Sequence, residues 1–115
     1  MEGFESEHTW EVPLDSEGKH WKRTAKRFGN GLTEFVVSYF YLSDEGEKIL
    51  LVTYDTAHGF PHRDLRYLER NHKKRKTVNY AHSLEDALKW AEEDLERNWG
   101  RYFEEFTKNT EGKNK

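Results

Sequence analysis

The strongest constraint on the fold is a pair of apolar runs with a turn between them. Thr33 to Leu42 reads TEFVVSYFYL and Lys48 to Asp55 reads KILLVTYD. Both runs are rich in β-branched and aromatic residues, which favour strands. Ser43-Asp44-Glu45-Gly46 separates them and predicts a hairpin turn. In the first run Phe35, Val37, Tyr39 and Tyr41 share one face, and Val36, Phe40 and Leu42 share the other. Apolar residues on both faces place this strand inside a sheet rather than at its edge. In the second run Leu50, Val52 and Tyr54 oppose Ile49 and Leu51 in the same way.

The second constraint lies near the C-terminus. Leu84, Leu88, Ala91, Leu95, Trp99, Tyr102 and Phe106 recur at three- and four-residue steps, an apolar stripe with helical period. Ser83 is the predicted cap, with Asp86 at the reciprocal position of a capping box. Glu85, Glu92, Glu93, Asp94, Glu96, Glu104 and Glu105 fill the other faces, which therefore read as acidic. Gly100 is a weak point in the stripe, and Trp90 stands one step off it, as a wider core face or an exposed ring.

The remaining segments are shorter. His8 to Leu14 predicts an edge strand ended by Pro13, and Asp15 to Gly18 predicts a turn. Lys19 to Phe28 fits a helix and a strand equally well, and Gly29-Asn30-Gly31 stops either one. Leu65 to Glu69 and Lys76 to Tyr80 predict two more strands, with a basic loop from Asn71 to Lys76. The expected fold is α+β: an antiparallel, meander-like β-sheet of about four or five strands packed by one long C-terminal α-helix.

A chain of 115 residues suits one domain. Its expected limits are 8–108, with a loose segment 1–7 and a flexible tail 109–115. Charged residues make up 36% of the chain, so its aromatics, 15% of residues, must supply much of the core. Cysteine is absent, which excludes disulfides, thiol catalysis and thiolate zinc sites and fits a reducing cytosol. No apolar run is long enough to span a membrane, and the acidic start has no signal-peptide core. Abundant Lys, Arg and Glu with no Gln resemble a thermophile composition.

Candidate chemistry concentrates where the second apolar run ends. Tyr54-Asp55-Thr56-Ala57-His58-Gly59-Phe60-Pro61-His62-Arg63-Asp64 leads into Arg66, Arg70, Lys73, Lys74, Arg75 and Lys76. Imidazoles, carboxylates and cations at a strand end suit phosphate chemistry, and a polar loop is the competing account. His58 and His62 have a metal-ligand spacing on a helix, but Gly59 and Pro61 oppose a helix there. No metal site and no cofactor is expected. There is no nucleophilic triad motif and no nucleotide-binding glycine loop.

Several pieces, in order, resemble one family. They are Tyr39-Phe40-Tyr41, Asp44-Glu45-Gly46, Tyr54-Asp55-Thr56-Ala57-His58, Phe60-Pro61-His62-Arg63 and Ser83-Leu84-Glu85-Asp86-Ala87-Leu88. Small toxins of the TumE-like group of toxin–antitoxin systems are similar over about residues 33–96. Thr56 stands where that group has Asn, and Arg63-Asp64 replaces its His/Lys-rich continuation. The resemblance implies a cytoplasmic ribonuclease toxin, neutralised by a cognate antitoxin, with kinship to RelE-like folds.

Metal-independent RNA cleavage of that kind turns the 2'-OH on the adjacent phosphate. It needs a base, an acid and cations around the developing charge. His58 and His62 are the candidate base and acid, Arg63 and Arg66 phosphate clamps, and Asp55 or Asp64 an orienting carboxylate. Arg66, Arg70, Lys73, Lys74, Arg75 and Lys76 would contact RNA. In a regular strand Arg63 and Arg66 point to opposite faces, so a bulge or a strand boundary is needed to bring them together. The alternative is a non-catalytic module that binds nucleic acid or protein, with self-assembly into a homo-oligomer as a further option.

Overall fold

A computed structural model describes residues 5–56, 61–68, 76–78 and 83–113. It shows an α+β arrangement, one antiparallel sheet with a long C-terminal helix. Among the described residues, six strands follow chain order across the sheet: β1 (Ser6–Pro13), β2 (His20–Gly29), β3 (Gly31–Leu42), β4 (Lys48–Asp55), β5 (His62–Leu65) and β6 (Lys76–Val78). A 3₁₀ turn, Arg66–Leu68, follows β5, and helix α1 spans Leu84–Lys113. The meander holds, with more strands than the four or five expected.

The ambiguous segment is β2. It pairs along its length with β1 and β3, His20 opposite Tyr41 and Thr24 opposite both Val37 and Trp10. Its residues on the helix side are His20, Lys22 and Thr24, so the usual apolar alternation of a half-buried strand is missing. Gly31, with φ 88°, makes the tight reversal into β3 that a residue with Cβ would resist.

Phe35, Val37 and Tyr39 of β3 are buried against α1. In β4 the expected face assignment changes partway. Tyr39 pairs with Val52 but Phe40 pairs with Leu50, so Leu51 is the extra residue of a bulge. Val52 and Tyr54 stay in the core, Ile49 packs against it, and Leu50 is turned out and exposed. Leu50 therefore does not share a face with Val52 and Tyr54.

β5 begins before the strand expected at Leu65 to Glu69 and ends at Leu65, where the 3₁₀ turn takes over. Ser6 and Glu7, expected to be loose, start β1, and α1 passes the expected fraying point at Asn109 to reach Lys113.

Ser83 caps α1: its Oγ accepts from the Asp86 N–H at 3.1 Å. The predicted stripe faces the sheet, with Ala91, Leu95 and Tyr102 buried and Ala87 added. Trp90 widens this face by meeting the Tyr54 ring edge-on at 5.5 Å. No helix among the described residues is long and apolar enough to cross a membrane.

Candidate functional site

The end of β4 and the start of β5 form the site. Asp55 pairs with His62, Tyr54 with Arg63 and Thr53 with Asp64. Strand alternation then sorts the polar groups onto two sides of the sheet. Tyr54 and Arg63 point toward α1, and Asp55, Thr53, His62 and Asp64 point away from it.

On the side away from α1, His62 Nε2 lies 3.0 Å from Asp55 Oδ1. In the neutral ring this contact holds the proton on Nε2, and the lone pair then sits on Nδ1. His62 is only 7% exposed, and Asp64 and Thr53 are buried beside it. Arg66 Nε donates to Thr53 Oγ1 at 3.2 Å, which brings this guanidinium to the same face. Alternation from His62 and Asp64 already sends Arg66 to this side, and the 3₁₀ turn that begins at Arg66 leaves it there.

The side toward α1 holds a different network. Tyr54 and Tyr102 hydroxyls both donate to Asp94 Oδ2, at 2.6 and 2.5 Å. Asn98 Nδ2 donates to Asp94 Oδ1 at 3.0 Å. Arg63 donates to the Tyr102 hydroxyl at 2.7 Å and lies 3.5 Å from Asp94 Oδ2. Burial, reinforced by the Asp94 hydrogen bonds, pushes both tyrosine pKa values above the ordinary range. Burial acts to lower the Arg63 pKa, but Tyr102 and Asp94 outweigh it and hold the value above normal.

The proposed catalytic residues are therefore divided. Asp55 and His62 are in contact, Arg63 serves the helix-side network, and His58 lies outside the described residues. Among the RNA-contact candidates, Arg66 joins the Asp55–His62 face. Lys76 opens β6 opposite Asp64 in register, and Arg70, Lys73, Lys74 and Arg75 lie outside the described residues. No three His, Cys, Asp or Glu side chains converge as metal ligands among the described residues.

The sequence showed the helix acids only as acidic outer faces and did not reveal four tertiary contacts. Asp94 serves the network above, and Glu105 accepts from the Tyr67 hydroxyl at 2.8 Å. Glu92 and Glu96 lie 3.4 and 3.6 Å from the buried Lys22 ammonium. A signal was present: Asp94, Asn98 and Tyr102 recur every four residues along the border of the apolar stripe.

No curated protein and no solved structure matches the chain. The family model described as "Domain of unknown function (DUF7718)" matches residues 5–112, nearly the whole chain, and the protein belongs to that family.

Proposed function

We propose that this protein acts on single-stranded RNA through the sheet face carrying Asp55, His62 and Arg66. The observation that carries the reading is the His62–Asp55 contact at 3.0 Å on the face that Arg66 reaches. An imidazole oriented by a carboxylate is a general base, and a guanidinium beside it binds phosphate with forked donors. In the reaction, the His62 imidazole removes the 2'-OH proton and the oxygen attacks the neighbouring phosphorus. The P–O5' bond breaks, leaving a 2',3'-cyclic phosphate. The departing 5'-oxygen takes a proton from a second group, for which His58 is the sequence candidate.

The TumE-like resemblance supports this reading and adds a cytoplasmic setting and an antitoxin partner to it. A second reading rests on the near-complete burial of His62 and the engagement of Arg63 by Tyr102. In it the same face binds RNA or protein without reacting.

The test is incubation with end-labelled single-stranded RNA, with and without EDTA, beside His62→Ala and Asp55→Asn. The cleavage reading predicts metal-independent products ending in a cyclic phosphate. It predicts a loss of about 10²–10⁴-fold in His62→Ala, the usual worth of a general base. RNA retention without products supports the binding reading. Undiminished cleavage by His62→Ala contradicts the mechanism.

A further inference from the structure

We propose that β1 pairs edge to edge with β1 of a second copy, antiparallel, in the register that sets Trp10 against Trp10 of the partner subunit. β1 is the outer strand of the sheet, and among the described residues its only strand neighbour is β2. An eight-residue edge of this kind is a ready template for another strand unless it is blunted. Its sequence, SEHTWEVP, carries no lysine, and its one proline stands at the far end.

The backbone shows which groups the edge offers. Leu14 N–H donates to the His20 carbonyl at 2.7 Å, in continuation of the β1–β2 register. Hydrogen-bonded pairs alternate along an antiparallel ladder. His8, Trp10 and Val12 therefore spend their backbone groups on β2, and Glu7, Thr9 and Glu11 turn theirs outward. Pro13 belongs to the outward set, where its missing N–H takes nothing from the β2 ladder.

Charge selects the register. A two-fold axis normal to the sheet keeps like faces together, so only every second register is allowed. With Trp10 on the axis, Glu11 faces Thr9 of the partner subunit, His8 faces Val12 of the partner subunit, and Glu7 faces Pro13 of the partner subunit. The neighbouring registers set Glu7 against Glu11 or Glu11 against itself, and like charges directly opposite are unfavourable. The acids are also matched within their own chain. Glu11 lies 3.9 Å from Arg23 and 3.5 Å from Lys48, and Glu7 lies 3.5 Å from Arg27.

The side chains give a driving force. Trp10 and Val12 point to the side of the sheet on which α1 lies, yet they are 38% and 37% exposed because α1 packs on β3 and β4. Pairing joins the two Trp10–Val12 stripes into one apolar strip between the two helices, and aromatic cross-strand pairs are favourable.

The test is sedimentation of the full chain from micromolar to sub-millimolar concentration, beside Thr9→Pro. That substitution removes an outward N–H and leaves the β2 ladder intact. The wild type is expected at twice the 13.8 kDa chain mass and Thr9→Pro at one chain, with an unchanged helical circular-dichroism spectrum. Trp10→Cys, the only thiol in a chain without cysteine, is expected to form a disulfide-linked pair. Directly opposed residues at a non-hydrogen-bonded position have Cα atoms about 4.5 Å apart, within disulfide reach. A one-chain mass at every concentration overturns the proposal, as does a two-chain mass that survives Thr9→Pro. If Thr9→Pro does not fold, the thiol variant decides: absence of the linked pair under oxidation overturns the register.

Discussion

Asp94 gathers Tyr54 from β4, Tyr102 and Asn98 from its own helix, and Arg63 from β5. Removing one partner of such a cluster leaves the others desolvated and unmatched. Asp94→Ala is expected to cost about 3–5 kcal/mol in urea unfolding, and Tyr54→Phe about 1.5–3 kcal/mol. His20 is a second residue with a measurable signature. Its Nδ1 lies 2.7 Å from the buried Tyr39 hydroxyl, and its ring sits 4.6 Å from Trp99 and 4.7 Å from Phe103. Burial lowers its pKa below the ordinary 6.5, against the opposing pull of Asp15 and Glu17. The folded state therefore favours the neutral ring, and the unfolded chain binds the proton more readily. The stability this provides is complete above the unfolded value near 6.5, falls as the pH drops through it, and levels off below the folded value. Melting temperature measured from pH 8 to pH 5 should decline less in His20→Gln than in the wild type.

At the scale of elements, α1 and the β3–β4 hairpin were legible because each carries a clear apolar period. Leu95 lies at the centre of the α1 stripe and is fully buried. Leu95→Ala should cost about 2–5 kcal/mol, and Ser83→Ala at the cap about 0.5–2 kcal/mol, both read by denaturant unfolding. β2 was not legible because its inward positions are His20, Lys22 and Thr24; His20 meets β3 and α1 and Lys22 meets α1 in contacts that no local pattern reveals. The β4 bulge was hidden for a related reason. Ile49, Leu50 and Leu51 are all apolar, so composition cannot show where the alternation slips. Asp55 and His62 were visible as candidate residues, but which carboxylate meets which imidazole depends on the β4–β5 register. The separation of Arg63 from Arg66 is the one that strand alternation gives, and the strand end at Leu65 does not bring them together.

The whole molecule is a layer of strands covered on one side by α1, with chemistry sorted by side. The helix side is closed by Asp94, Glu92 and Glu96, each matched to a sheet residue, and by Glu105, matched to Tyr67 of the 3₁₀ turn. The opposite side carries Asp55, His62 and Arg66, where the proposed RNA contact is made. This division predicts that substitutions on the two sides have different effects. Tyr54→Phe should lower stability and leave RNA binding intact, whereas Arg66→Ala should weaken RNA binding and flatten its salt dependence. The most direct measurement is an imidazole and guanidinium NMR titration with a single-stranded RNA whose 2'-oxygens are methylated, so that it binds without being cut. The account predicts that the His62 and Arg66 signals shift together while the Arg63 signal stays in place. Shifts confined to other residues, or an unperturbed His62 at saturating RNA, would contradict it.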